Sequence, residues 1–419
     1  MRHARAWIGN CLAGGIGACA LPAALLFAVA MGQRSSLGLF LSPINTSTGA
    51  GFAALSFALA ASQLAAGLSQ PLCGLLSERF GAARVVAVGA VLVAASSAAT
   101  VLAGSATSLA ALLIVAGAAG SAAGGAPLLL GIVGQRVVPE RRGLAAGIVS
   151  AGGSCGQMAV APLAQGSIVT LGWSGAMLLM SLLSLLVAPL ALAFRRRNRN
   201  PVLHDRQPPD PGSAALRDPG FWLISAGFGV CGFHVGFLTA HMPGVIEACG
   251  QPAALAGLWL AIVGACNIAG SIVSGALTQT RSMPRMLAGV YLARALGVLV
   301  FVSMPVTQLG LLLFAVWMGT TYMATVPPTS GLIAARYGNA RLARLFGVAM
   351  LVHQLGGFAG VWLGGVVFEA SGRYDGLWAA DVVLSLAAAA AYLPLCRTAQ
   401  RSASPGQSGA GALSFVARR

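Results

Sequence analysis

Arg34 stands in an apolar stretch that runs from about Leu12 to Ile44. A guanidinium keeps its proton in any protein environment, and placing one in hydrocarbon costs several kcal/mol or more. A group kept at that cost is expected to be used. Its planar fork takes a carboxylate through two parallel hydrogen bonds, so the chemistry it suggests is the holding of a small anion.

Three histidines suggest the second half of that chemistry. His234 and His241 are seven residues apart and share one face of a helix, with His234 the deeper of the two. His353, followed by Gln354, lies within a later apolar run. Imidazole changes charge near neutral pH. His234, His241 and His353 are therefore the candidates for carrying a proton alongside the anion. A protonated His353 would add positive charge for the anion, and a neutral one would donate a single hydrogen bond.

His234, His353, Gln354, Asn267 and Tyr322 are candidates for touching the substrate beside Arg34, and Gln63, Gln157 and Thr325 are further uncharged candidates for the same cavity. Such groups either line a cavity or tie one helix to another. Pro327-Pro328 removes two backbone donors from its run and should break the ladder there. All nine acidic residues fall at expected helix ends or in loops, Asp381 among them, so no carboxylate is expected at a helix centre. No nucleophile–base pair, phosphate loop or Walker sequence is present. The eight cysteines form no CxxC and no Cys/His cluster with ligand spacing. No catalytic residue, metal or cofactor is expected, and the chain is not expected to be an enzyme.

These residues must be positioned by helices in a bilayer. Of 419 residues, 57% are hydrophobic and only 8% charged, with a mean hydropathy of +0.83. A soluble domain carries about 25% charged residues. The net charge of +16 comes from arginine alone among the basic residues. The arginines form no patch on a soluble face, so nucleic acid is not an expected partner; the lipid bilayer is.

A spanning helix needs about 20 apolar residues. Twelve candidates are read at about 16–43, 50–76, 84–104, 108–134, 144–167, 173–194, 219–246, 253–278, 286–305, 308–334, 345–370 and 376–396. The N-terminal run is too long for a cleaved signal peptide and reads as the first span. Every arginine except Arg34, Arg294 and Arg373 falls in the alternate loops and tails that include both termini. The positive-inside rule then places both termini in the cytoplasm. Residues 1–194 are expected to form one six-helix bundle and 219–396 a second. A basic, proline-rich loop at 195–218 would join them, and 397–419 would be a disordered tail. The halves repeat weakly: Phe27 to Pro43 parallels Phe228 to Pro243, which sets Arg34 opposite His234. Parallel six-helix repeats with a site between them describe a rocking transporter.

Gly74-x-x-x-Glu78-Arg79-x-Gly81-x-x-Arg84 joins the second and third runs. It resembles the loop between helices 2 and 3 of the major facilitator superfamily, with Glu78 where aspartate is usual. The resemblance implies an all-α fold of twelve transmembrane helices in two pseudo-symmetric bundles, with this segment as an ion-pair latch between them.

A narrower resemblance, to the monocarboxylate-transporter and oxalate–formate-antiporter branch, covers nearly the whole chain. Its carrying segments are Gly32 to Pro43, Cys231 to Pro243 and Phe346 to Gly357. It implies that Arg34 falls near a helix-1 lysine important for carboxylate transport, and His353 near a substrate-binding helix-11 lysine. The branch's helix-8 charges have no counterpart in Ala261 to Gly270.

The expected function is secondary transport of a small organic anion, of monocarboxylate type, by alternating access in a bacterial inner membrane. A proton is the candidate co-substrate, in symport or antiport, and a monomer is the expected state. Efflux of neutral or anionic compounds is a rival within transport. A non-transporting sensor or assembly partner is a rival of another class.

Overall fold

The computed structural model describes residues 16–138, 141–195 and 213–403. Most of the connecting loop and the end of the C-terminal tail lie outside the described residues, as do Glu140, Asp205 and Asp210. Among the described residues the regular structure is entirely helical. A backbone in lipid must satisfy its own hydrogen bonds, and a helix does so within one segment.

The first bundle begins with α1, Ile16–Ser36, which tightens into a 3₁₀ turn at Leu37–Phe40 and continues over Leu41–Thr48. Then come α2, Phe52–Phe80, and α3, Ala82–Ala99. Next, α4 is built from Ala106–Gly124 and Ala126–Arg136, broken at Gly125 just before Pro127. A single helix, Arg142–Val187, follows and turns at Gly172 (φ 70°, ψ 174°). Its apolar run, Leu144–Phe194, has 51 residues. At 1.5 Å per residue a straight run would reach roughly 75 Å, more than twice a hydrocarbon core. The turn makes it two spans, α5 (142–171) and α6 (173–187). Among the described residues, eleven continuous apolar helical runs thus give twelve crossings.

The second bundle contains α7, Pro219–Ala248; α8, Ala254–Leu277; and α9, Met283–Ser303. It continues with α10, in two pieces, Gln308–Thr321 and Val326–Tyr337. The last two helices are α11, Asn339–Ser371, and α12, Asp375–Ala403. The break in α10 falls immediately before Pro327-Pro328, which sit in the first turn of the second piece, where missing N–H groups leave no bond unmade. The last helix runs seven residues past Cys396, where the apolar pattern places its end.

Within each bundle small residues bring backbones together. Gly156 on α5 lies against the Ala28 carbonyl of α1, and Gly232 on α7 against the His353 carbonyl of α11, where any added Cβ would collide. Between bundles, α2 packs on α11 and α5 on α8. Contacts between the bundles gather toward the end away from the arginine-rich loops. There Phe52 meets Phe368 (4.9 Å between ring centroids), and Gly38 lies against the Thr239 and Ala240 backbone. Toward the arginine-rich end, Gly74, Gly147, Gly275 and Gly347 on the same four facing helices meet open space.

Candidate functional site

Arg34 lies half-buried near the end of the first segment of α1. Its neighbours set its direction. Gly32 is pressed against Gly156 and Val160 of α5, and Gln33 donates to the Met180 carbonyl at 2.7 Å and accepts from Ser184 at 3.0 Å. Those contacts fix one side of α1 inside its own bundle. Arg34 points the other way, where Nη2 donates to Gln63 Oε1 of α2 at 3.4 Å. The guanidinium is also close enough to Tyr322 of α10 for the two to interact electrostatically.

Gln63 joins this arginine to the opposite bundle. Its backbone carbonyl accepts a hydrogen bond from Gln354 Nε2 of α11 at 3.2 Å. Gln354 Oε1 lies 3.4 Å from His353 Nδ1, and the imidazole packs on the Phe228 ring, 4.6 Å between centroids. Both side chains are buried. The structure therefore brings Arg34, Gln63, Tyr322, His353 and Gln354 to one stretch of the seam between the bundles.

Tyr322 sits in the break of α10, and its hydroxyl shares a 2.7 Å hydrogen bond with Thr239 of α7. A broken helix in a membrane leaves backbone groups that need other partners. Asn267 of α8 supplies one, its Oδ1 accepting from the Met323 N–H at 3.1 Å. Its Nδ2 donates to Ser154 of α5, also at 3.1 Å, and Ser271 donates back to Oδ1. Asn267 is thus committed to holding the break and tying the bundles. Gln157, also at the α5–α8 contact, is buried with no hydrogen-bond partner on either side-chain atom.

His241 is engaged elsewhere. Its Nε2 lies 2.7 Å from the Val361 carbonyl and its Nδ1 lies 3.4 Å from the Tyr374 hydroxyl, inside the second bundle. His234 is separated from it by more than depth. Its Nδ1 meets Asp381 Oδ2 of α12 at 2.7 Å, with the side chains 1% and 0% exposed.

That pairing corrects the reading of the acids. Asp381 is not at a helix end: it lies nearly two turns inside α12, fully buried and bonded. An apolar run that begins close to an acid looks like a helix boundary, and only the partner on α7 shows otherwise. Arg294, midway along α9, is a second permanent cation inside a span, and unlike Arg34 it is fully buried. It donates to the Thr321 and Tyr322 carbonyls at 2.6 and 2.9 Å, at the α10 break, and it interacts electrostatically with Cys231 of α7 and Tyr291 and, more weakly, with Asp381. Its place inside an apolar run was the available signal, the same one that singles out Arg34.

The segment from Gly74 to Arg84 spans the α2–α3 connection, where Gly81 has φ +89°. Glu78, Arg79 and Arg84 are exposed there. Arg79 lies over the Phe80 ring at 5.3 Å, and Glu78 makes no ion pair among the described residues. An apolar groove of about 410 Å³ between α8, α9 and α10 includes none of the candidate residues. Among the described residues no group of three or more His, Cys, Asp or Glu side chains is arranged to hold a metal ion.

Twelve crossings in two six-helix halves, with Arg34, Gln63 and Gln354 meeting at the seam between them, are the build of a membrane transporter. The Major Facilitator Superfamily profile matches residues 23–361. The chain belongs to the major facilitator superfamily.

It is 22% identical over 376 residues to the uncharacterized MFS-type transporter YcxA of Bacillus subtilis (strain 168), covering 83% of this chain and 88% of that one. It is 26% identical over 359 residues to monocarboxylate transporter 11 of Homo sapiens, covering 82% and 74%. Among solved structures, a bacterial homolog of the human lysosomal transporter Spinster, in an inward-facing and occupied conformation, superposes with a TM-score of 0.75 at 17% identity. That match covers 90% of this chain and 96% of the other. A D-xylose–proton symporter gives 0.73 at 15% identity, covering 89% and 96%. At these identities the solved structures speak for the fold alone.

Proposed function

We propose that this protein is a secondary transporter of small organic anions, of monocarboxylate type, and that Arg34 engages the carboxylate. The observation that carries the reading is the placement of Arg34. Among the described residues it has no acidic partner, it is half-buried at the seam, and its one side-chain hydrogen bond is a long one to Gln63. A guanidinium so placed retains donors for a bidentate carboxylate. His353, Gln354 and Tyr322 bring polar groups from the second bundle to the same place. A site built from both halves is remade whenever the halves rock, which is what alternating access requires. The similarity to a protein named monocarboxylate transporter 11 supports the same substrate class.

The arginine-rich end faces the cytoplasm of a bacterial inner membrane on this reading. The structure then corresponds to an inward-open stage, closed on the outside by the Phe52–Phe368 contact. The exposed Gly74–Arg84 segment re-forms its latch when the cytoplasmic end closes. A proton is the proposed co-substrate.

The test is uptake into proteoliposomes of radiolabelled L-lactate, pyruvate and benzoate, each measured against protein-free liposomes. Saturable uptake of one of them, lost in a folded Arg34→Ala variant, is the expected result. Uptake that survives in Arg34→Ala removes the assigned role. Saturable export of uncharged compounds with no anion uptake would favour an efflux transporter instead.

A further inference from the structure

We propose that His234, Asp381 and Arg294 form a proton-exchange site inside the second bundle, linked to the Arg34 site through the break in α10. The coupling rests on the anion-transport reading above; the existence of the titrating site does not.

The cluster is built from three helices that the chain brings together from far apart: α7, α9 and α12. A purely structural ion pair in this setting would use all its polar atoms, because an unmade bond in a sealed interior is expensive. This one does not. His234 Nε2, Asp381 Oδ1, and Arg294 Nε and Nη1 are all buried without a hydrogen-bond partner. Ser385, one turn beyond Asp381 on α12, is buried with its hydroxyl likewise unpartnered. The pair thus retains an empty acceptor site on each side, either of which takes a proton from water without breaking the existing 2.7 Å bond.

Charge counting gives the consequence. With Asp381 ionised, Arg294 charged and His234 neutral, the cluster sums to zero. One added proton leaves a single positive charge next to the seam. Arg34 keeps its own charge throughout, so each proton added to the cluster raises by one the positive charge that a monovalent anion at Arg34 meets, which favours the two moving together.

The other titratable groups packed around the cluster are Tyr291 on α9, Cys231 on α7, His353 on α11, Tyr392 on α12 and Tyr322 on α10. None is a second carboxylate.

The link to the anion site is mechanical. One Arg294 nitrogen, Nη2, donates to both the Thr321 and the Tyr322 carbonyl. Tyr322 is the residue whose hydroxyl reaches Thr239 and which interacts electrostatically with Arg34. A change of charge on Asp381–His234 alters the pull on Arg294, and Arg294 holds the break that positions Tyr322. Both members of the pair are sealed from solvent in this conformation, so the proton enters at another stage of the cycle.

Two measurements on the full chain test this. Infrared difference spectra of reconstituted protein, taken between alkaline and acidic pH, should contain a band of a buried carboxylic acid or imidazolium that is lost or shifted in Asp381→Asn and in His234→Gln, while Arg34→Ala retains it. Spectra unchanged by both Asp381→Asn and His234→Gln overturn the proposal. Where Asp381→Asn fails to fold, judged by thermal unfolding, His234→Gln decides on the same criterion.

In proteoliposomes with an entrapped pH dye, an L-lactate pulse should acidify the lumen faster than in protein-free liposomes, and this excess should be lost in Asp381→Asn. An undiminished excess in that variant overturns the coupling. If the wild type shows no excess, the anion reading has failed, and the infrared comparison still decides the site.

Discussion

The Glu369 carboxylate of α11 accepts a 2.7 Å hydrogen bond from the backbone N–H of Ala53, so a side chain of the second bundle caps a helix of the first. The residue that caps the start of α2 is Gly51, with φ +87° and no side chain to make the cap itself. A negative charge at a helix N-terminus is favourable, and here it also closes one end of the seam.

Glu369→Ala should therefore loosen that end. Glu369 is exposed, so the effect is modest: about 0.5 kcal/mol, or roughly a twofold change in the ratio of conformations. Spin labels on the two bundles at that end should show a larger population of long distances in the variant.

Arg34 should distinguish charge from fork. Arg34→Lys keeps the charge and loses the bidentate geometry, so KM for the transported anion should rise roughly tenfold with uptake still measurable. Arg34→Ala should abolish uptake. Equal KM in Arg34→Lys and the wild type would show that only charge matters.

Close packing of α7 on α11 makes Gly232→Ala a sharp test of the second bundle. The new methyl would meet the His353 carbonyl and lie 3.0 Å from the Gly357 N–H nitrogen. Overpacking of this kind costs about 1–3 kcal/mol. A lowered Tm with lowered uptake is expected, because the same shift displaces His353.

Asp218 supplies a pH-dependent contribution outside the spans. It caps α7 through Gly220 N–H at 2.8 Å and receives the Tyr337 hydroxyl at 2.7 Å and Arg336 Nε at 3.1 Å from the end of α10. Burial alone would raise its carboxyl. The Tyr337 and Gly220 hydrogen bonds and the Arg336 charge outweigh that and hold it below the ordinary carboxylate range. The folded value is the lower one, so the stabilisation is complete above the unfolded value near 3.9 and is lost as pH falls through the folded value. Asp218→Ala should cost about 1 kcal/mol at neutral pH, a figure already reduced for partial exposure. Thermal unfolding of variant and wild type should converge in acid.

What the sequence determined by itself was the count of spans and the two-bundle fold. Each spanning helix closes its own hydrogen bonds, so its length and apolar content are written locally. The proline pair announced the break in α10 for the same reason: a missing N–H is a local fact. Arg34 was legible because one permanent charge in an apolar run stands out wherever it points.

Which side chains meet was decided only by tertiary structure. His234 and Asp381 are 147 residues apart, and helices apolar all round carry no stripe to show which way each turns. Rotation and tilt came from glycines such as Gly32 and Gly232 meeting a neighbouring backbone. Those rotations sent His241 into the bundle interior, turned Asn267 to the α10 break, and closed Asp381, Arg294 and His234 into one cluster.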